Sequence, residues 1–456
     1  MYNFNKELAS ISPGTKILFA CFPADGHFNP LTGLAMHLKE KGCDVRWYTS
    51  GYYAQKLKRL NIPHYGFDKA LDTNASKIEE IFPERVEHKS QVKKLVFDMI
   101  HAFILRGPEY FQDIKDIRKQ FAFDLVIADV AFTGIPFVKE KLKVPVIAVG
   151  VFPLTETSKD LPPAGLGLTP SNSFFGRIKQ SILRLVAHKL LFGKPNKVMN
   201  EVLAAYGIDS EGLNLFDINI KKSSLFLQSG TPGFEYKRTD LGKNIRFAGP
   251  LLPYARQKLD TLWYDDRLRR FEKVILVTQG TVEKDVNKLI IPTLEAFKNS
   301  NCLVIVTTGG SKTKELQELY PDTNFIIEDF IPFEEVMPYT DVYVSNGGYG
   351  GVLLGIQHQL PMVVAGVHEG KNEICARIGY FKLGINLKTE TPSPEELRMA
   401  VKQVIADTIY GENVKKLAGE FRQYNPYEIA ERCVAELVAS KQISTWKDHR
   451  EAELVY

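Results

Sequence analysis

Two groups of residues in this 456-residue chain have types and spacings that could do chemistry. The first is Ser345-Asn346-Gly347-Gly348-Tyr349-Gly350-Gly351, set between the apolar DVYV (341–344) and VLLGI (352–356). A strand that breaks into glycines and restarts as a helix gathers unpaired backbone N–H groups and the positive end of a helix dipole at one point. That arrangement suits a phosphate-bearing ligand. A tight strand-to-helix turn that needs glycine for packing or positive φ would read the same way. The second group is His27 with Asp129. His27 lies in Pro23-Ala24-Asp25-Gly26-His27-Phe28-Asn29-Pro30, directly after the apolar KILFACF (16–22), and Asp129 falls near the end of LVIADV (125–130). In an open α/β sheet both positions are at carboxyl ends of strands, where such sheets take their ligands. An aspartate that orients a histidine and offsets its developing charge makes a general base. The competing readings are a loop or capping histidine and an aspartate that caps a helix.

The elements that must position these residues alternate along the chain. KILFACF (16–22), DVRWYT (44–49), LVIADV (125–130), VPVIAVG (144–150) and SLFLQSG (224–230) read as buried strands, and the series resumes with KVILVTQG (273–280), CLVIVTTGG (302–310), NFIIEDF (324–330), DVYVSNGG (341–348) and PMVVAG (361–366). Near-continuous Val/Ile/Leu runs separated by amphipathic helices predict parallel sheets covered on both faces. Two such series predict an α/β protein of two doubly wound domains, consistent with a length beyond what one hydrophobic core supports. Ala248-Gly249-Pro250-Leu251-Leu252-Pro253 and the charged WYDDRLRR (263–270) read as an interdomain linker. The expected domains are residues 1–245 and 246–425, followed by a C-terminal helical segment, 426–456.

Composition removes several function classes. Lys+Arg 58 against Asp+Glu 54 gives a formal charge of +4 without long same-sign blocks, so no nucleic-acid footprint or polybasic membrane patch is expected. The five cysteines are widely separated and contain no C-x-x-C, which argues against a disulfide framework or a zinc site. Neither a charged leader with a long apolar core nor an 18-residue apolar run is present, so the expectation is a cytoplasmic protein without a membrane span. No G-x-G-x-x-G follows the first strand, against a dinucleotide-dependent dehydrogenase. Gly366-Val367-His368-Glu369-Gly370-Lys371-Asn372 is one spacer short of a P-loop and has Asn where Ser or Thr would bind magnesium. There is no Asp-x-Asp to hold a metal under a diphosphate, so no metal is expected, and a helix terminus would stabilise the leaving group.

The motifs together make the chain resemble a family 1 glycosyltransferase of the UDP-glycosyltransferase type, in particular the bacterial natural-product and macrolide enzymes. The likeness extends over nearly the whole chain. It is strongest at Gly26-His27-Phe28-Asn29-Pro30, at Ala128-Asp129-Val130-Ala131-Phe132 and across 330–387, with Phe330-Ile331-Pro332, the glycine run and Gln359-Leu360-Pro361. The resemblance implies a GT-B fold, two Rossmann-like domains facing a central cleft, with the acceptor on the N-terminal domain and the donor on the C-terminal one. It implies an inverting, metal-independent hexosyltransferase that moves a sugar from a UDP-sugar, UDP-glucose first, to a hydroxyl of a small hydrophobic acceptor. His27 would be the base and Asp129 its support. No cofactor beyond the nucleotide-sugar co-substrate is expected, and the chain is expected as a monomer or weak dimer. The helix after 426 would cross back to the first domain.

Carried to single positions, the resemblance places Gly280, Thr281, Asn346, Gly347, Gly348, Tyr349, Gly350 and Gly351 at the diphosphate. Phe330 or Ile331 would lie against the base, or Phe330 is core. Asn346 stands where the family usually has histidine, and Leu354 stands where it often has a ribose-binding glutamate. The usual acidic-Gln pair falls on Gly370-Lys371, leaving Glu369 to act by a register shift and Lys371 to meet sugar or phosphate, or both to be solvated loop charges. Phe28, Phe132, Phe152 and Phe103 are the expected acceptor contacts, the latter two within the apolar segments 150–192 and 92–111, whose aromatics could equally be helical core. Three alternatives accompany this reading: a dTDP-sugar transferase, a sugar-nucleotide 2-epimerase of the same fold, and a non-catalytic sugar-nucleotide binder.

Overall fold

The strand runs are buried on both sides because their alternating side chains enter two separate cores. In the first, Lys16–Ala20, Ile17 and Phe19 join a core that also holds Leu31, Leu34 and Trp47, whereas Leu18 and Ala20 join one built around Tyr110, Ile114 and Phe132. The computed structural model describes residues 11–74, 78–254, 263–280, 282–368 and 370–453. Seven parallel strands form the first sheet: β1 Lys16–Ala20, β2 Asp44–Tyr48, β3 His64–Tyr65, β4 Leu125–Asp129, β5 Val146–Gly150, β6 Leu225–Ser229 and β7 Ile245–Gly249, in the spatial order β3-β2-β1-β4-β5-β6-β7. Six parallel strands form the second: β8 Lys273–Thr278, β9 Cys302–Thr307, β10 Phe325–Glu328, β11 Val342–Ser345, β12 Met362–Val364 and β13 Gly384–Asn386, in the order β10-β9-β8-β11-β12-β13. The same alternation splits its strands, with Val274 and Leu276 in one core and Ile275 and Val277 in the other. The fold is the two-sheet GT-B arrangement.

Both sheets reverse winding direction at one point, between β1 and β4 in the first and between β8 and β11 in the second. Connections leave opposite faces there, opening a crevice at the carboxyl ends. The helices that matter are α1 (Asp25–Glu40), α2 (Phe174–Val186), α3 (Tyr349–Gln357), α4 (Lys371–Tyr380) and α5 (Pro426–Glu453). α1 leaves β1 and α3 leaves β11, so each crevice has a helix N-terminus beside it. One boundary differs from expectation. Ala248 and Gly249, read as linker, end β7, because Gly249 at φ 87° lets the chain turn while exchanging two backbone hydrogen bonds with Gly230.

The halves are joined by specific contacts. Tyr349, the first residue of α3, donates its hydroxyl proton to the Ser229 carbonyl at the end of β6 (2.7 Å), and α1 packs against α3. Arg377 of α4, 2% exposed, forms ion pairs with Glu235 (2.8 Å) of the first half and Glu373 (3.0 Å) of its own helix, and its guanidinium lies over the Tyr236 ring. Burial opposes that charge; Glu235 and Glu373 more than offset it and hold the guanidinium above its ordinary value. The Glu373 carboxylate also accepts from the Gly165 and Gly167 amides. α5 returns to the first sheet, where Ala430, Cys433 and Val434 enter the core beside α1. The close approach needs Gly33, whose added Cβ would lie 2.6 Å from the Tyr427 hydroxyl.

Arg377→Met strands two acidic groups at the junction, a change that costs about 3 to 5 kcal/mol when a buried pair loses one partner. Urea unfolding followed by tryptophan fluorescence should show a loss of that order. A loss below about 1 kcal/mol, as for an exposed pair, contradicts this account of the junction.

Candidate active site

β1 and β4 are neighbours, with Ala20 opposite Ala128, and this register brings the residues that follow β1 onto the end of β4. Asp129, the last residue of β4, is fully buried. Its Oδ2 accepts from the Phe22 amide at 2.7 Å, and its Oδ1 accepts from the Ala131 amide at 2.9 Å. The His27 Nδ1 lies 2.7 Å from the same Oδ1. A carboxylate only accepts hydrogen bonds, so Nδ1 carries the proton and Nε2 presents its lone pair. His27 is 19% exposed at the side chain, in the first turn of α1 and open on one side. Phe22 and Phe152 flank the imidazole edge-on at 5.4 and 6.2 Å, and Phe103 stacks on Phe22 at 4.3 Å. The ring therefore projects from a polar anchor into an aromatic surround.

The second crevice is built on β8 and β11, with Thr278 opposite Ser345. Asn346 donates its side-chain N–H to the Gln279 carbonyl, tying the two loops that leave these strands. Its amide is therefore partly committed, leaving one N–H, and the cation that histidine could bring is absent. Gly347 is in the left-handed region at φ 83°, and its added Cβ would lie 2.5 Å from the Cys375 Sγ. Burial pushes that thiol up to about 12, so a neutral group underlies the turn. Gly366 is equally constrained, since its Cβ would fall 2.1 Å from the Asn346 carbonyl and 3.0 Å from the Lys371 Cβ. Lys371, the first residue of α4, thus stands beside the glycine turn. Partial burial would raise the Glu283 carboxyl; Lys288, the Asp285 amide and Lys371 together hold it below its ordinary value. Gly348 caps α3, and a Cβ on Gly350 would meet no heavy atom within 4 Å. Gly280, at φ 75°, lies about 4.0 Å from the Asn346 side chain by the same measure.

Several expected contacts are placed elsewhere. Phe28 is 1% exposed, stacked on Tyr53 at 4.2 Å and beside Trp47, so it is core rather than an acceptor contact. Phe132 is fully buried and stacked on Tyr110. The Ile331 side chain is buried in the second domain's core and cannot lie against a base, whereas Phe330 is 70% exposed past the end of β10. The Tyr349 ring faces the first domain, and burial holds its phenol protonated, well above the ordinary tyrosine value. Only its backbone belongs to the turn. Gly351 serves packing, since a Cβ there would lie 2.7 Å from the Tyr343 hydroxyl. Leu354 is packed against the core. Thr281 and Glu369 lie outside the described residues.

Sequence reading missed Phe22, whose amide holds Asp129, together with Gly366, which packs on the Asn346 carbonyl. The last residue of the run KILFACF and the glycine ending the run PMVVAG were the available signals. A recess of about 400 Å³ lies nearby, lined by Leu154, Leu161, Pro163, Leu185 and Phe216 of the first domain with Glu373 and Arg377 of the second. Phe152, at His27, and Leu154, at this recess, are two residues apart in the chain. Among the described residues no group of three or more His, Cys, Asp and Glu side chains could hold a metal ion.

Comparison with known proteins fits this geometry. The C-terminal domain model of the erythromycin biosynthesis protein CIII-like family matches residues 293–436. The 4'-demethylrebeccamycin synthase of Lentzea aerocolonigenes is 30% identical over 409 residues, 90% of this chain and 96% of that protein. UDP-glycosyltransferase 2 of Phaeomoniella chlamydospora is 27% identical over 440 residues, 93% and 96% of the two chains. The crystal structure of the glycotransferase of kitacinnamycin superposes with a TM-score of 0.72 at 18% identity, covering 94% of this chain and all of that one. With two switch-point crevices joined across Tyr349 and a relative of this identity along nearly its whole length, the chain belongs to the family 1 glycosyltransferases of the UDP-glycosyltransferase type and is a glycosyltransferase.

Proposed function

We propose that the protein transfers glucose from UDP-glucose to a hydroxyl of an apolar natural product, with inversion at the anomeric carbon. The observation that carries this reading is the His27–Asp129 pair at the first switch point, set in an aromatic surround. The acceptor hydroxyl gives its proton to His27 Nε2 as its oxygen bonds to the sugar C1. The C1–O bond to the diphosphate breaks, and its electron pair leaves on the UDP oxygen. Asp129, fixed by two amides, holds the imidazole in the accepting tautomer and offsets the positive charge it gains. Charge on the departing diphosphate is met by the amides of Gly348, Tyr349 and Gly350, by the α3 N-terminus and by Lys371, without a metal, while the Gly347 amide is given to the Ser345 hydroxyl and shapes the turn. Gly280, Thr281 and Glu369 belong to the same donor assignment, and Phe330 offers an exposed ring on which the base can stack.

The acceptor body would lie against Phe103 and Phe152 and extend toward the recess lined by Leu154, Leu161 and Phe216. Leu354 offers no acceptor for a ribose hydroxyl, which favours dTDP-sugars as the second donor class. Release of UDP or dTDP that depends on acceptor, followed by mass spectrometry of the product, distinguishes transfer from epimerisation and from binding alone.

His27→Ala should lower kcat for transfer by roughly 10²- to 10⁴-fold, the contribution expected of a general base, while calorimetry shows UDP affinity within about a factor of two. An unchanged kcat removes His27 from the role. Gly350→Ala separates ligand from scaffold at the glycine turn. Its methyl meets open space in the protein, so the melting temperature should hold while UDP affinity falls about tenfold, as expected for a methyl placed where the diphosphate sits. Equal affinity in the variant places the diphosphate elsewhere.

A further inference from the structure

The strongest unassigned feature is α2, which is folded with its apolar side outward. Its one buried residue is Gln180, whose side chain accepts from the Ser171 amide and donates to the Asp160 carbonyl. Phe174, Phe175, Ile178, Ile182, Leu185 and Val186 are all exposed, Phe174 at 73% and Phe175 at 81%, and Leu190 in the following turn is 79% exposed. At 3.6 residues per turn these six α2 side chains fill an arc of about 120°, with Gln180 opposite its centre. A helix that serves a core buries its apolar stripe. This one presents that stripe to solvent.

Charge is arranged around the stripe. From 161 to 200 the chain contains no Asp or Glu, and it carries Arg177, Lys179, Arg184, Lys189, Lys194 and Lys197. On the same wheel Lys179 lies about 20° beyond one edge of the apolar arc and Arg177 about 60° beyond the other. Both are exposed, as are Lys189, Lys194 and Lys197. Cations flanking an apolar arc keep their heads in water while their stems lie along hydrocarbon. That combination fits the boundary of a bilayer rich in anionic headgroups, where aromatic and aliphatic side chains enter the acyl region and Lys and Arg meet phosphate. A helix lying in the interface needs no spanning length, and no described helix is long and apolar enough to cross a membrane.

We propose that α2 and the turn after it dock this enzyme on an anionic lipid surface. Charge complementarity selects lipid over a second copy of the chain, because a two-fold contact through α2 would place Arg177, Lys179 and Lys189 against their own counterparts.

The test is flotation of the full chain with vesicles of phosphatidylcholine alone and with about one third phosphatidylglycerol. The anionic vesicles should carry the protein at about 0.1 M salt and release most of it at about 0.5 M, where screening is short-ranged. Phe174→Glu with Phe175→Glu should abolish flotation while UDP affinity and melting temperature stay unchanged, since both rings are already in solvent. Arg177→Gln, Lys179→Gln and Lys189→Gln together should weaken partition about a hundredfold, at roughly fivefold per charge. Absence of the wild-type chain from anionic vesicles, or flotation unaffected by the phenylalanine substitutions, overturns the proposal. So does sedimentation velocity showing a dimer that Phe174→Glu dissolves.

Discussion

A buried carboxylate that must be satisfied organises the first crevice. Asp129 has no access to solvent, and an ionised group in that position is tolerable only if its oxygens are fully partnered. Its partners come from three places: the Phe22 amide after β1, the Ala131 amide after β4 and the His27 imidazole in α1. Losing one leaves a buried acceptor unmet, at about 1 to 3 kcal/mol. The aspartate therefore fixes where β1 ends, how α1 begins and which nitrogen of His27 faces the cleft. Pro30 adds to this opening, since it has no N–H to give the Gly26 carbonyl and the first turn of α1 is held from below by Asp129.

The second domain solves the matching problem without a buried charge. Asn346 bridges to the Gln279 carbonyl, and close packing at Gly347 and Gly366 presses the turn onto Cys375 and the start of α4. Under the proposed function backbone amides are the donors to the diphosphate, and the cation comes from Lys371 on a neighbouring helix. The same turn supplies Tyr349, whose hydroxyl reaches Ser229 across the junction. The glycine turn and the domain contact thus share one short stretch of chain, so the spacing between the two crevices depends on residues that also form one of them.

The sheets were legible because parallel strands covered on both faces are apolar without interruption. β1, β4, β8 and β9 stand out for that reason. β3, of two residues, and β13, a GIN tripeptide, have too few residues for any period to appear. β7 was hidden by Gly249 and Pro250, which signal a break whether or not a strand precedes them. At the site, His27, Asp129 and the glycine turn follow from position at strand ends, a property of one-dimensional order. The aromatics do not. Phe28 and Phe132 sit one and three residues from the pair yet face the core, while Phe22 and Phe152 reach the imidazole. Which side of a strand end a ring takes depends on packing against other segments, and no local spacing encodes it. α2 is the reverse case: its pattern reads as a core-facing helix, and only the fold reveals that the stripe points outward.

The claim at the centre is that Asp129 holds His27 ready to accept a proton. Its most direct measure is kcat for sugar transfer by Asp129→Asn at saturating donor and acceptor, with UDP affinity taken on the same preparation. An amide can keep one backbone hydrogen bond but presents a donor or a neutral oxygen to Nδ1, disturbing the tautomer that the carboxylate imposes. The account predicts a fall of roughly 10²-fold or more in kcat with nucleotide binding preserved. A variant that turns over at the rate of the native enzyme would contradict it.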